Sequence, residues 1–119
     1  MRCSQCRETS NIVFSKRPDT ISDDEFNRWY DPHLDEILVV PGFVSAQRYR
    51  MEAMVEKPGT SVPYGFLSLY ELEGEVDTIM ADLDEEASSG RMQLPEWFPE
   101  ISFASWNCYP LGDRVEQKR

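Results

Sequence analysis

Along this chain the spacing of apolar residues switches from every second residue to every third or fourth and back, and does so twice. That order constrains the fold more than any single motif, because a period of two belongs to a strand and a period of 3.6 to a helix. Asn11 to Arg17 (NIVFSKR) is a short β-rich run ended by Pro18-Asp19, which starts a turn. Ser22-Asp23-Asp24-Glu25 is a capping box: the serine hydroxyl can accept from the amide three residues on, and the acids suit the positive helix end. The helix it opens is expected to run to about Val39 or Val40, where Pro41-Gly42 stops it, with an irregularity at Pro32, whose ring removes an amide donor. Phe26, Tyr30, His33 and Ile37 form its apolar stripe, flanked by Trp29 and Val40.

Phe43 to Met54 alternates as a strand, which places Phe43, Ser45, Gln47, Tyr49 and Met51 on one face and Val44, Ala46, Arg48 and Arg50 on the other. Glu56 to Pro63 is the hairpin connection. Tyr64 to Leu72 then splits into Tyr64, Phe66, Ser68 and Tyr70 against Gly65, Leu67 and Leu69. Neither strand has a clean solvent face, so something is expected to cover the second side of the sheet. Val76, Ile79, Met80, Leu83 and Ala87 define a second amphipathic helix with Asp77, Asp82, Glu85 and Glu86 outside, ended by Ser88-Ser89-Gly90. Arg91 to Ile101 is a proline-punctuated loop too apolar to lie free in water, and Ser102 to Tyr109 is the last strand.

The resulting β-α-β-β-α-β order is the ferredoxin-like plan of the α+β class, a four-stranded antiparallel sheet with both helices on one face. A second copy packed sheet to sheet would cover the other face, giving a homodimeric α+β barrel. Residues 1–10 read as a disordered or extended tail, 11–111 as a single domain and 112–119 as a polar tail.

Composition narrows the function by exclusion. A net charge of -10, from 22 acids against 12 bases, argues against nucleic acid and against an anionic membrane surface. No apolar run approaches the ~20 residues that cross a bilayer, and MRCSQCRETS lacks the apolar segment of a signal peptide, so a soluble cytoplasmic protein is expected. Cys3-Ser4-Gln5-Cys6 is a CxxC without the strand-to-helix setting of a redox motif, and the other potential zinc ligands, His33 and Cys108, are distant in sequence. No metal site is expected. There is no glycine-rich phosphate loop and no GxSxG.

What remains is the lone histidine. His33 lies on an apolar stripe, where an imidazole needs either a structural partner or a cavity to line. Ser45, Gln47, Tyr49, Ser68, Tyr70, Ser105, Asn107 and Tyr109 place polar groups where a sheet core is expected, which suits either a small-molecule pocket or a dimer interface. By alternation Arg48 and Trp106 fall on the face opposite the Tyr49 set, Arg48 being either an anion anchor or the partner of a helix acid.

WYDPHL followed by VVPGFVSAQRYR resembles the small dimeric α+β barrel proteins of the EthD-like type, in which an aromatic pair, a histidine on the first helix and a proline-glycine before the second strand recur in this order. Where many such patterns carry a second histidine, this chain has Leu34. The resemblance implies a scaffold used by cofactor-independent monooxygenases, polyketide cyclases, lactone isomerases and haem-binding enzymes. The expected function is therefore a homodimeric, cofactor-independent enzyme that acts on a small apolar or aromatic, or polyketide-like, compound. It would work by proton abstraction with cyclisation or isomerisation, or by monooxygenation. His33 would be the acid or base and Tyr49 and Tyr70 the donors to the developing oxyanion. Phe26, Trp29, Tyr30, Gln47, Arg48, Trp97 and Trp106 would line the ligand, with the Trp97-Phe98 loop as a lid. The alternative is a non-catalytic small-ligand module of the same fold, or a haem-binding one in which His33 meets the iron.

Overall fold

Ser22 caps the first helix as the capping box foretells, its hydroxyl accepting from the Glu25 amide at 3.1 Å. Helix α1 runs from Asp23 to Ile37 in the computed structural model, which describes residues 9–54 and 64–118. The other elements are β1 (Thr9–Lys16), β2 (Phe43–Arg50), β3 (Phe66–Leu72), α2 (Val76–Ser88) and β4 (Ser102–Cys108). Thr9 and Ser10, assigned to the tail by sequence, already pair with Leu72 and Glu71. The Cys3–Cys6 motif and the Glu56–Pro63 connection lie outside the described residues.

Pro32 does not interrupt α1, contrary to expectation. It stands on the exposed side of the helix, as does Arg28, so water can take up the carbonyl that the proline leaves without a donor. The helix ends earlier than expected: Leu38 still donates to the Leu34 carbonyl, but the Val40 amide turns to Ile37 and Gly42 reverses the chain at φ +100°.

The sheet order is β2-β3-β1-β4, with every neighbouring pair antiparallel, and the topology is that of a ferredoxin-like fold. Register is continuous except in β2. Phe43 faces Leu72 and Ser45 faces Glu71, so Val44 is an unpaired bulge. Beyond it the alternation is shifted by one residue. Ala46 and Arg48 therefore join Phe43 on the face toward the helices, while Ser45, Gln47 and Tyr49 turn to the other side.

Two apolar clusters lie between the sheet and the helices. One gathers Ile37, Val40, Phe43, Tyr70, Leu72, Ile79 and Met92; the other gathers Phe26, Tyr30, Phe66 and Ile101. The stripe read from the first helix is thus correct, with Phe26, Tyr30, His33 and Ile37 all buried. Helix α2 packs less deeply than its pattern suggests: Ile79 is buried, Met80 and Leu83 are half-buried and Ala87 is exposed.

Candidate functional site

A polar seam separates the two apolar clusters. Across the sheet, Arg48, Ser68, Val13 and Ser105 stand in one row on the helix side, and Ala46, Tyr70, Asn11 and Asn107 stand in the next. The Asn11 amide donates to Ser105 Oγ at 3.2 Å and to Asn107 Oδ1 at 2.9 Å, which satisfies the β4 end. The β3 end is not satisfied: the Ser68 and Ser15 hydroxyls are fully buried and have no hydrogen-bond partner among the described residues. A buried hydroxyl without a well-aligned partner costs roughly 1–3 kcal/mol.

Arg48 is the charge of this seam. Its side chain is only 9% exposed and its guanidinium lies 4.3 Å from the centre of the Tyr30 ring, 5.3 Å from that of Phe66 and 5.6 Å from that of Phe26. Three ring faces around one cation recover part of its lost hydration, on the order of 1–2 kcal/mol in all. Nη1 donates to Asp31 Oδ1 at 3.1 Å, so the pairing with a helix acid is present, although Asp31 is 69% exposed and well hydrated. Nε and Nη2 are buried and pair with nothing described.

Tyr30 and Tyr70 meet beside Ser68. Burial pushes both phenols above the ordinary tyrosine range; the Ser68 hydroxyl and, more weakly, the Arg48 charge pull each of them back. Ser68 is near enough to act on both phenols but is in line for a regular hydrogen bond with neither. Both therefore stay protonated, as donors, at any physiological pH.

His33 sits one turn further along the same helix stripe and is 7% exposed. Trp29, at i-4, stacks on the imidazole at 4.7 Å with 22° between planes, and Tyr30 meets its edge at 5.8 Å. Glu36, at i+3, accepts from Nδ1 at 2.9 Å through Oε1, while its Oε2 accepts from the Gln93 amide at 2.8 Å. A carboxylate on Nδ1 fixes that nitrogen as the protonated one and leaves the lone pair on Nε2, which makes no hydrogen bond among the described residues. Trp29 Nε1 donates to the Gln93 carbonyl at 2.8 Å. Both backbone groups of Gln93 are thus held by side chains that also hold His33.

The loop from Arg91 to Ile101 covers this end of α1. Trp97 packs on Phe26 at 6.0 Å and on Trp29 at 5.4 Å, and Phe98 bridges Trp29 and Phe103. An apolar loop seated on buried rings is what its composition led one to expect.

Of the residues singled out from sequence, Phe26, Trp29, Tyr30, His33, Arg48, Tyr70 and Trp97 share the space between the sheet and α1. Tyr49, Gln47 and Trp106 do not. The bulge at Val44 sends Gln47 and Tyr49 to the opposite face, where Gln47 lies in a row with Leu69, Ile12 and Trp106. Tyr49 and Tyr70 therefore cannot serve one pocket of a single chain, and Trp106 lies with the Tyr49 set rather than opposite it. Sequence reasoning missed Glu36, Asp31 and Asn11. The i, i+3 spacing of Glu36 from His33 was a usable signal, whereas Asp31 and Asn11 needed the register.

Among the described residues no three His, Cys, Asp or Glu side chains gather as metal ligands, and no helix is long and apolar enough to cross a membrane.

No known family profile matches the chain, and no curated protein matches it. Solved structures do. A dimeric ferredoxin-like protein from an uncultured marine organism is 13% identical, with 92% of this chain and 100% of that one covered at a TM-score of 0.51. A dimeric ferredoxin-like protein of unknown function from Thermobifida fusca YX is 15% identical over 86% of this chain and 92% of its own, at 0.48. A protein from Shewanella loihica PV-4, provisionally named a monooxygenase, is 15% identical over 94% and 100%, at 0.46. At these identities the likeness concerns the fold alone, and it agrees with the topology read directly from the strands.

Proposed function

We propose that the protein is a homodimeric, cofactor-independent enzyme of the EthD-like type, cytoplasmic, that abstracts a proton from a small aromatic or polyketide-like compound. The observation that carries this reading is the His33–Glu36 pair, an imidazole held in one tautomer against the protonated Tyr30 phenol. His33 Nε2 takes a proton from a carbon next to a carbonyl, and the C–H electron pair moves onto the carbonyl oxygen as an enolate. Tyr30 or Tyr70 donates to that oxygen, in place of the Tyr49 expected from sequence. The carbanion then either attacks a second carbonyl of the same molecule, closing a ring whose new alkoxide takes the proton back from the imidazolium, or takes that proton back itself at another carbon. Each outcome balances without an outside oxidant.

The test is turnover of small β-polyketones or unsaturated lactones by the purified protein. His33→Ala should lower kcat by a factor of about 100 or more, and Glu36→Gln by a smaller factor of about ten. An unchanged rate in His33→Ala would refute the base.

The homodimer follows from the second sheet face. Ile12, Phe14, Leu67 and Leu69 are half-buried there, Tyr49 is exposed and Trp106 is 62% exposed, an apolar surface with nothing described on it. Sedimentation at micromolar concentration should give twice the chain mass, and Leu69→Asp should halve it. A wild-type chain that sediments as a monomer would remove this part of the proposal.

A further inference from the structure

We propose that Arg48 and Ser68 form a binding site for the carboxylate of a small aromatic acid. The geometry of the unpaired atoms points there. Nε and Nη2 lie along one edge of the guanidinium, so their two hydrogens run parallel, and both are buried and unpaired while the other end is taken by Asp31. Two parallel donors match the two oxygens of a carboxylate, which can accept from both at once.

Ser68 stands directly across the ladder from Arg48, its hydroxyl buried beside the Tyr30 and Tyr70 phenols and in line for a regular hydrogen bond with neither. Ser15, on β1 and one row along, is a second buried hydroxyl without a partner. One edge of the guanidinium and two hydroxyls on three adjacent strands therefore lack a well-aligned acceptor among the described residues. Leaving a guanidinium edge dry and unpaired is costly in an apolar setting, and a ligand oxygen removes that cost.

The rest of the ligand is specified by the walls. Tyr30, Phe26 and Phe66 surround the guanidinium with ring faces, which favours a flat apolar body. A hollow of about 220 Å³ nearby is lined by Lys16, Arg17, Asp19, Asp23, Gly65 and Phe66, so Phe66 borders both it and the guanidinium. A phosphate dianion fits less well, because the single cation is already shared with Asp31 and a second negative charge would go uncompensated. The site deepens the reading above, since the acid held here would be that enzyme's substrate, but binding does not require that His33 react.

The experiment is calorimetric titration of the full chain with benzoate, with benzamide as its neutral counterpart and with inorganic phosphate. Benzoate should bind with a Kd of about a millimolar or tighter, and benzamide and phosphate at least about tenfold more weakly. Arg48→Lys keeps the charge but loses the parallel donors, and should weaken benzoate at least about tenfold. Should that variant unfold by circular dichroism, Ser68→Ala carries the test, with a loss of about threefold or more expected. The titration reads binding without turnover, which separates this site from the proposed base. No heat at about 20 mM benzoate, benzamide or phosphate binding as tightly, or full affinity in the folded variants would overturn the assignment.

Discussion

Phe26→Ala is expected to destabilise the fold by about 3–5 kcal/mol, a large share of the roughly 5–15 kcal/mol that a domain of this size has. Phe26 is fully buried, and four aromatic rings pack on it: Trp29, Tyr30, Phe66 and Trp97. Its loss also removes one of the three rings that face the Arg48 guanidinium. The cavity cannot collapse easily, because its walls are held from three different elements, α1, β3 and the 91–101 loop. Urea denaturation of wild type, Phe26→Leu and Phe26→Ala checks this; Phe26→Leu should cost about 1.5 kcal/mol or less. A loss below about 1 kcal/mol in the alanine variant would mean that the ring cluster is not part of the cooperative core.

The second large effect belongs to Gly42. Its φ of +100° is a left-handed backbone that side chains rarely adopt, and a Cβ there would lie 2.6 Å from Ile79 Cδ1, closer still to Cγ1, and 3.2 Å from the Glu73 carbonyl. Gly42 also accepts from the Glu73 amide at 2.8 Å, so the turn after α1 is tied to the end of β3 and cannot drift to make room. Gly42→Ala should therefore cost about 2–5 kcal/mol, part from backbone strain and part from the displaced α2. Ile79→Ala in the same chain separates the two parts. If the clash matters, the double variant recovers at least about 1 kcal/mol relative to the sum of the single ones; strict additivity would assign the whole cost to the backbone.

Element order and the first helix were legible because they rest on local signals: the Ser22 capping box, the stripe from Phe26 to Ile37, and the alternation of β3 all survive in the folded chain. The fold follows from that order. Pro32 was misread because a proline's effect depends on which side of the helix its missing partner faces, and that is set by tertiary packing. The grouping of the site residues failed at one point. Alternation counted from Phe43 puts Tyr49 on the face of Phe43 and Arg48 on the opposite one, and nothing in VSAQ announces the bulge that reverses them. His33 was legible as a buried imidazole, yet the Glu36–Gln93 arrangement around it pairs residues far apart in sequence, which no pattern of spacing contains. Likewise the orphan donors of Arg48 become visible only when every neighbour has been placed.

Val44 gives β2 one residue of slack. Phe43 and Arg48 both face the helices only because the strand carries a residue that no partner claims. Removing any single residue from Val44 to Gln47 would let the ladder close without a bulge and leave both of those side chains where they are. An added residue there finds the slack already spent, and either a second bulge forms or Arg48 is carried round to the other face of the sheet. Among descendants of this chain, shortening of β2 by one residue is thus compatible with the buried guanidinium, and lengthening is compatible only at the cost of a further bulge.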